Sequence, residues 1–401
     1  MTKDILFLCQ YFYPEYITSS LLPYQTAREL VDNGMKVDVI CGYPKEYHSG
    51  GVGTAVPKIE TVDGILIQRV SYFQLDRTNS LFRLLNYFSF IASCFLKLFQ
   101  LRHYKLIYVY SNPPLLPILT VLANLLFKTR FVFVAYDIYP DIAIKTGVLS
   151  ESSPISWLTD CINAQVFKRA TKIIALSKEM KHYLIENKQV ADHKVQVIPN
   201  WATEEESIVV SPHKKSDKIT ISYLGNIGIP QDFDKIEAII SDKRVQAMPI
   251  QFIFAGHGSR KDSLREFVSS NHLQNVTVYD YLKGEDYQSV LANSDYHLLS
   301  LKAELNGLAV PSKFYSYIHN GKPIIALVHE DCDIAENIEQ LDLGYVIPKG
   351  DLEGAISVFQ KMISQNTEHK VQQNKELFTK EVQLKKYVDL TLEILKGEEN
   401  V

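Results

Sequence analysis

The sequence lacks the cysteine patterns of small secreted proteins and of zinc-binding proteins. Its five cysteines, at positions 9, 41, 94, 161 and 332, are scattered along 401 residues and include no CxxC pair. We therefore expect neither a disulfide framework nor a zinc site. His257 in GHGS and His297 in DYHLL have no partner at the spacing of metal ligands. We interpret both as structural histidines and predict a protein that uses no metal and no cofactor.

Long apolar runs are also missing. Two uncharged stretches stand out, LLNYFSFIASCFL at 84–96 and PPLLPILTVLANLLF at 113–127, with thirteen and fifteen residues. Both are shorter than the ~20 residues that a membrane-spanning helix needs. The amino-terminal residues lead directly into a strand pattern without a small-residue cleavage site, so we expect no signal peptide. These features predict a cytoplasmic protein.

Acidic residues are absent between Asp76 and Asp137. Seven positive charges lie among the apolar residues of this stretch: Arg77, Arg83, Lys97, Arg102, Lys105, Lys128 and Arg130. Such a mixture is typical of a surface that rests on anionic lipid. We predict that segment 77–130 associates peripherally with the inner face of the cell membrane, and two buried helices with solvated ends are the alternative. The net charge of −4 gives no indication of a nucleic-acid partner.

Length and composition predict two domains. The chain exceeds one ordinary core, and 46% hydrophobic with 22% charged residues is typical of a globular protein. Short runs rich in Val, Ile and Phe alternate with helix-like segments, which predicts an α/β architecture with parallel strands covered on both faces. We expect strands at 4–9, 36–42, 65–70, 105–110, 130–135, 172–176, 195–198, 219–225, 250–256, 276–282, 295–301, 323–328 and 344–348.

The pattern restarts after a charged stretch, which sets the expected boundaries. The first domain is predicted at 1–200, a linker at 201–218 and the second domain at 219–375. The run TKEVQLKKYVDLTLEIL near the end is helix-like. We expect residues 376–401 to form a helix that crosses back to the first domain.

Glycines follow two strands of the second predicted sheet. Gly225 and Gly228 lie in YLGNIGIP at 223–230, and Gly256 lies in AGHGS. Ligands of parallel sheets bind beyond the carboxyl ends of the strands. Glycine can take positive φ and lets another group approach the backbone, and amides at a helix start attract anions. The placement favours a phosphate-binding edge, with a tight strand-to-helix turn as the alternative.

Seven motifs, spread over nearly the whole chain, carry a family resemblance. They are LCQYFYPEY, AYDIYPD, ATKIIALSKEMKHYL, VQVIPNW, YLGNIG, FIFAGHGSR and GLAVPSKFYSYIHNGKPIIAL. In this order they resemble the retaining family 4 glycosyltransferases of GT-B fold, a group that includes bacterial capsule and exopolysaccharide enzymes. The resemblance implies two Rossmann-like domains facing across a cleft. It also implies a nucleoside diphosphate sugar, expected to be UDP-linked, held mainly by the second domain.

The resemblance further implies the roles of individual residues. Lys313 would offset the charge of the departing diphosphate, and Asp137 would orient or deprotonate the acceptor hydroxyl. An exposed first helical turn for Lys313 and a helix cap for Asp137 are the alternatives. Ser19 and Ser20 occupy the loop where relatives often carry paired glycines, and would line the phosphates from the first domain. The other expected donor contacts are Gly225, Asn226, Gly228, Gly256, Tyr281, Leu282, Glu304, Asn306, Leu308, Ala309, Val310, Ser312 and Ser316.

The chain departs from the family pattern around the donor. Many relatives carry two glutamates eight positions apart, the second binding the ribose, where this chain has Leu308 and Ser316. Glu304, Asn306 and Ser316 are candidate substitutes. Many relatives also carry an arginine and a lysine where this chain has Asn226 and the acidic QDFD at 231–234.

The resemblance implies transfer of a hexose to a glycan or a polyprenyl-diphosphate-linked acceptor, with retention of configuration. The reaction would serve synthesis of a cell-surface polysaccharide or glycoconjugate. The leaving phosphate would itself take the acceptor proton. One alternative is a catalytically silent, nucleotide-binding partner subunit of another glycosyltransferase, which the missing glutamates permit. A nucleotide-sugar epimerase on the same fold is a third reading, but no carboxylate set can be assigned to proton exchange.

Overall fold

The chain forms two compact α/β units. The computed structural model describes residues 3–44, 56–76, 80–203, 217–365 and 369–397. Unit 1 comprises Met1–Thr203, Gly307–Ala309 and Glu381–Val401, and unit 2 comprises Glu204–Asn306 and Val310–Lys380. Arg77 and residues 204–216 of the predicted linker lie outside the described residues.

Each unit contains one mainly parallel sheet. The strands are β1 (Lys3–Leu8), β2 (Val37–Gly42), β3 (Ile59–Val62), β4 (Ile65–Val70), β5 (Tyr104–Tyr110), β6 (Arg130–Ala135), β7 (Lys172–Ala175), β8 (Val195–Val197), β9 (Ile219–Asn226), β10 (Ile250–His257), β11 (Val276–Tyr279), β12 (Tyr296–Ser300), β13 (Ile324–Leu327) and β14 (Gly344–Val346). The sheet orders are β3-β4-β2-β1-β5-β6-β7-β8 in unit 1 and β11-β10-β9-β12-β13-β14 in unit 2. Only β3 pairs antiparallel, with β4, among these strands. The α/β fold class predicted from the sequence is confirmed.

Helices connect these strands. They are α1 (Thr18–Asp32), α2 (Ser80–Phe95), α3 (Ile118–Phe127), α4 (Asp141–Lys145), α5 (Pro154–Arg169), α6 (Lys178–Glu186), α7 (Phe233–Ser241), α8 (Lys243–Gln246), α9 (Lys261–Ser270), α10 (Gly284–Asn293), α11 (Lys313–His319), α12 (Asp333–Gln340), α13 (Leu352–Gln365), α14 (Val371–Asn374) and α15 (Lys380–Lys396). Short 3₁₀ helices span Leu98–His103, Asp192–Lys194, Ala303–Leu305, Pro348–Gly350 and Lys375–Phe378. Within the described residues, no helix combines the length and apolar character that crossing a membrane requires.

The local sequence explains where several of these helices begin. The side chains of Ser153 and Ser177 accept hydrogen bonds from the amides of Ser156 and Met180, so each serine caps the helix that follows it. Pro154 occupies the first position of α5, where a missing amide costs little. The two α/β cores are then completed by burial of the apolar helix faces against the sheets.

The last helix, α15, belongs to unit 1. Its Leu384, Tyr387 and Ile394 pack into the same core as residues of β1, β2 and β5. Hydrogen bonds reinforce this packing: the Tyr108 and Thr391 hydroxyls lie 2.8 Å apart, and the Arg130 guanidinium donates to the Ile394 carbonyl at 2.7 Å. The helix therefore covers one face of the unit 1 sheet.

Candidate functional site

Lys313 lies at the carboxyl edge of the unit 2 sheet, against the end of β9. It is the first residue of α11. A Cβ placed on Gly225 would lie 3.3 Å from Cε and 3.5 Å from Cγ of Lys313, so the lysine stem runs across the glycine. Residues 314–318 of α11 are buried. The alternative that Lys313 begins an exposed helix is therefore wrong, because its helix is part of the core.

Tyr287 on α10 holds the ammonium of Lys313. The Nζ atom donates to the Tyr287 hydroxyl at 3.2 Å and lies 5.3 Å from the ring centroid, which is a cation–π arrangement. The lysine is thus held between a glycine and an aromatic ring. Sequence reasoning missed Tyr287, which lies 26 residues away from Lys313 in the chain.

The glycines at this edge are required because neighbouring atoms lie too close for a side chain, and not because of their backbone conformation. Gly225, Gly228 and Gly256 are not among the residues with positive φ. A Cβ on Gly256 would lie 1.7 Å from the Gly225 carbonyl oxygen, and one on Gly228 would lie 2.6 Å from the Asn226 side-chain nitrogen. The glycines therefore let β9, β10 and the following loop approach one another.

The amides near these glycines already have acceptors. The Gly228 amide donates to the Gln231 side-chain oxygen at 3.1 Å, and the Ile227 amide donates to the His257 carbonyl at 2.7 Å. Helix α7 begins only at Phe233. An anion at the Gly228 amide would have to replace the Gln231 oxygen. Lys313 is thus a cationic group at this edge that is positioned to contact an anion, whereas these two amides already have acceptors.

His257 and Tyr281 continue the edge beyond β10 and β11. Their rings meet edge to face, with centroids 5.3 Å apart. Burial lowers the pKa of His257, and the charges of Lys313 and Lys261 lower it further. Tyr281 is 55% exposed, and Lys283 lies over its ring. Strand β11 ends at Tyr279, so Tyr281 and Leu282 lie in a loop and the predicted strand 276–282 is too long.

The remaining predicted donor contacts are spread over both units. Glu304 is exposed in the 3₁₀ helix Ala303–Leu305, and Asn306 follows that helix. Ser312 precedes α11 without capping it through its side chain, and Ser316 is only 5% exposed within α11. Val310 belongs to unit 2, whereas Leu308 and Ala309 belong to unit 1. Leu308 is buried there, and its carbonyl accepts a hydrogen bond from the Ile138 amide at 2.9 Å.

Asp137 lies at the carboxyl edge of the unit 1 sheet. It follows β6, forms an antiparallel bridge with Ala309, and donates its amide to the Ser111 hydroxyl at 3.1 Å. Helix α4 begins at Asp141, and its N-cap is Pro140. The helix-cap alternative for Asp137 is therefore wrong. Burial raises the pKa of Asp137 from 3.8 to about 6.

Ser19 and Ser20 lie in the first turn of α1, not in a loop. The amides of Ser20 and Leu21 both donate to the Ile17 carbonyl at 2.9 Å, which closes the turn and starts the helix at Thr18. The loop expectation is wrong because the helix extends further toward the amino terminus than its apolar residues suggest. The Ser20 hydroxyl is fully buried and has no hydrogen-bond partner among the described residues.

Three more buried polar side chains of unit 1 share this property. Gln10 follows β1, Tyr110 ends β5 and Asn112 follows it, so all three lie at the carboxyl edge that also carries Asp137. Both Gln10 amide atoms, the Tyr110 hydroxyl and the Asn112 side-chain oxygen find no partner in the described part of the chain. Buried polar groups usually have partners, so these groups are candidates to bind a hydroxyl-rich ligand. Sequence reasoning missed them because pairing depends on tertiary contacts.

Other polar groups give weaker evidence of a function. His297 is fully buried, stacks on Tyr317 at 4.3 Å and contacts the Ser222 hydroxyl at 2.8 Å, and burial lowers its pKa to about 3. Over the described ranges, no three His, Cys, Asp or Glu side chains are placed to hold a metal ion.

A cavity of about 260 Å³ lies at the ends of β12, β13 and β14. It is lined by Asp232, Lys235, Leu301, Ala303, Leu327, Val328, His329, Glu330, Asp331, Lys349 and Gly350. It contains none of the predicted donor contacts.

The raised pKa of Asp137 predicts a pH-dependent stability. As pH rises from about 4 to about 6, the unfolded chain releases the Asp137 proton before the folded chain does, so the contribution of this group to the free energy of unfolding falls. We expect Asp137→Asn to remove this loss, worth about 1–3 kcal/mol by pH 7. The melting temperature of variant and wild type, measured from pH 4 to pH 7, checks this. Asp32→Asn, at a 63% exposed side chain, is the control, and equal slopes for wild type and Asp137→Asn would contradict the prediction.

Comparison with known proteins relates unit 1 to a described family. Residues 23–201 match the family described as "Glycosyl transferase 4-like domain". This match covers less than half of the chain and lies within unit 1. The matched segment contains Asp137, Tyr110 and Asn112, and therefore most of the unit 1 edge described above.

Curated relatives resemble the chain at low identity. The probable glycosyltransferase WbjE of Pseudomonas aeruginosa is 25% identical over 250 residues, which cover 60% of this chain and 62% of that protein. The phosphatidylinositol N-acetylglucosaminyltransferase GPI3 subunit of Saccharomyces cerevisiae is 21% identical over 314 residues, covering 77% of this chain and 65% of that protein. The chain thus spans less than two thirds of the length of either relative.

A solved structure resembles the fold over nearly the whole chain. The crystal structure of Anabaena Alr3699/HepE in complex with UDP-glucose has a TM-score of 0.65 and 14% identity, and the alignment covers 98% of this chain and 99% of that chain. At this identity the likeness concerns the fold. It confirms the GT-B fold that the sequence resemblance implies.

Proposed function

We propose that the protein is a glycosyltransferase that moves a hexose from a nucleoside diphosphate sugar, UDP-linked, to a glycan or a polyprenyl-diphosphate-linked acceptor in synthesis of cell-surface polysaccharide. The observation that carries the proposal is the placement of Lys313, whose stem crosses Gly225 and whose ammonium is held by Tyr287 at the carboxyl edge of the unit 2 sheet. A fixed cation at this edge suits a ligand with a diphosphate.

Unit 2 is proposed to bind the donor. The ammonium of Lys313 would stabilise the negative charge that forms on the leaving diphosphate, and the exposed ring of Tyr281 offers a flat face for a base. The HepE structure is a complex with UDP-glucose, which supports a UDP-linked donor for a chain of the same fold. Glu304 and Asn306 are proposed to replace the ribose contact of the glutamate that many relatives carry.

Unit 1 is proposed to bind the acceptor. Gln10, Tyr110 and Asn112 present buried polar atoms for which the described residues supply no partner, and Asp137 lies at the same edge of the sheet. A carboxyl whose pKa is about 6 can accept a proton or a hydrogen bond from a sugar hydroxyl near neutral pH. A lipid-linked acceptor is supported by the name of the GPI3 relative, a phosphatidylinositol N-acetylglucosaminyltransferase subunit. The protein would work at the inner face of the membrane.

The reaction is proposed to retain configuration and to need no metal. In this scheme the anomeric carbon–oxygen bond to the diphosphate breaks, the acceptor oxygen attacks from the same face, and the leaving phosphate takes the acceptor proton. Lys313 would balance the charge on the diphosphate that a metal ion balances elsewhere. The anomeric configuration of the product and the rate in the presence of a chelator test these two features.

One observation favours a second candidate function. Leu308 and Ser316 stand where many relatives carry glutamates, and both side chains are almost fully buried. A chain without these carboxylates could bind the nucleotide and support another transferase as a silent partner subunit. Such a partner would bind nucleotide but show no turnover.

A donor panel tests the proposal. The purified protein is incubated with radiolabelled UDP-, GDP- and ADP-sugars, with and without lipid-linked saccharide, and transfer and hydrolysis are measured. Thermal unfolding with each nucleotide measures binding separately, since a ligand at about 100 times its Kd stabilises by about 2.7 kcal/mol. Stabilisation with turnover supports the transferase, and stabilisation without turnover supports the silent partner. Neither effect with any nucleotide contradicts both.

A further inference from the structure

Helix α2 of unit 1 has apolar side chains on both of its faces. Asn86, Phe90 and Cys94 point inward and are at most 1% exposed. Asn86 is fixed by hydrogen bonds to the amide and carbonyl of Leu75, at 2.9 and 3.0 Å. On the outward face, Leu85 and Phe88 are 40% and 42% exposed. A surface helix usually carries polar residues there, so the outward face of α2 is unusual.

The exposed apolar surface continues beyond α2. Phe95 is 51% exposed, Leu96 is 84% exposed and Phe99, in the 3₁₀ helix that follows, is 67% exposed. The ring of Phe99 lies 5.7 Å from that of Phe127, which connects the 3₁₀ helix to α3. Leu125 and Leu126 of α3 are also exposed. We name Leu85, Phe88, Phe95, Leu96, Phe99, Leu125 and Leu126 the apolar stripe.

The α2 part of the apolar stripe is contiguous by helical geometry. Residues 85, 88 and 95 are separated by three and seven positions, which places them on one side of α2. Scattered exposed leucines are normal in soluble proteins, but a continuous apolar patch marks an interaction surface. The stripe therefore needs a partner with an apolar interior.

The sequence segment that carries the stripe contains no acidic residue. No Asp or Glu occurs between residues 77 and 136. Two cations of this segment have partners elsewhere in unit 1, since Lys105 pairs with Asp4 at 2.9 Å and Arg130 donates to the Ile394 carbonyl. Arg102, in the same 3₁₀ helix as Phe99, and Lys128, which ends α3, are exposed. Both cations thus adjoin the apolar stripe.

We propose that the apolar stripe, with Arg102 and Lys128 beside it, docks unit 1 on a membrane surface that contains anionic lipid. The apolar side chains enter the boundary between headgroups and acyl chains, and the two cations contact the headgroups. With sixteen and ten residues, α2 and α3 lie on the bilayer and do not cross it. The inference rests on the proposed function for its purpose, which is access to a lipid-linked acceptor.

Vesicle binding tests the surface directly. The full chain is sedimented with vesicles of phosphatidylcholine alone or of an equimolar mixture with phosphatidylglycerol, without donor or acceptor. We expect binding to the anionic vesicles that weakens with salt. Lys128→Glu should weaken this binding about twentyfold, because each charge near an anionic surface contributes about a fivefold effect. Leu85→Gln should weaken it about tenfold through lost apolar burial.

Matched control variants distinguish vesicle binding through the apolar stripe from nonspecific binding. Lys243→Glu changes an exposed lysine of unit 2, and Ile363→Gln changes a side chain that is 39% exposed there. Both should bind vesicles like wild type. The proposal would be overturned if the controls lost as much binding as the stripe variants, or if the wild type did not bind vesicles. It would also be overturned if ultracentrifugation showed a dimer that Leu85→Gln abolishes while vesicle binding stays unchanged. Because no sugar is transferred in this assay, its failure is distinct from failure of the proposed activity.

Discussion

Lys313→Ala is expected to lower turnover of the proposed sugar transfer by about 100- to 1,000-fold, because a fixed charge beside a leaving group typically contributes this much. The ammonium is held in place before any ligand binds, by the Tyr287 hydroxyl and ring and by contact of its stem with Gly225. Its charge would matter most as the diphosphate leaves. The variant should therefore lose kcat more than it gains KM. Initial rates over a range of donor concentrations measure both constants.

Two further variants make the result specific. Lys361 lies 5.2 Å above the Tyr345 ring in unit 2, nearly the same arrangement as Lys313 above Tyr287. Lys361→Ala should leave turnover unchanged. Tyr287→Phe keeps the ring but removes the hydrogen bond, so a smaller loss of about tenfold is expected. If Lys313→Ala folds, binds nucleotide and turns over within fivefold of wild type, Lys313 is not catalytic.

The sheets were largely predictable from the sequence, and the reasons are local. A strand such as β13, buried at all four positions, needs a continuous apolar run, and its sequence IIAL is one. Strand β3 was missed because Ile59–Val62 is a short edge strand whose residues alternate between exposed and half-buried. The length of β11 was overestimated because Tyr281 and Leu282 extend an apolar pattern past the last paired residue, Tyr279.

The contacts of the candidate site could not be predicted in the same way. The sequence predicts that the glycines lie at strand ends, and positive φ is one reason for which glycine could be needed there. Glycine is needed at these positions because a neighbouring strand or the lysine stem lies close to them, and these neighbours are present only in the folded chain. Likewise, segment 77–130 contains seven cations, but the sequence does not show that Lys105 and Arg130 have partners within unit 1 while Arg102 and Lys128 are exposed. The partners of these side chains are distant in the chain.

Gly256→Ala is expected to give the largest loss of stability among single changes at this edge. Gly256 pairs with Gly225 across β9 and β10, and its added Cβ would lie 1.7 Å from a backbone oxygen. A backbone atom cannot rotate away, so the two strands must separate. Separation would also disturb the 2.7 Å hydrogen bond from the Ile227 amide to the His257 carbonyl. We expect a cost of about 3 kcal/mol or more, because overpacking against backbone lies at the upper end of the usual range.

Thermal unfolding of three glycine variants tests this argument. For a unit of this size, a loss of 3 kcal/mol corresponds to a melting temperature lower by about 6–12 °C for Gly256→Ala. Gly397→Ala should unfold like wild type, because its Cβ would meet other atoms only at 3.6 Å. Gly225→Ala should also keep its melting temperature, since the Lys313 stem at 3.3 Å is flexible and can move. Its turnover should fall, however, because that movement displaces the ammonium from Tyr287. If Gly225→Ala lost as much stability as Gly256→Ala, the lysine stem would be as rigid as the backbone. The effect of Gly225→Ala on turnover could then no longer be separated from its effect on packing.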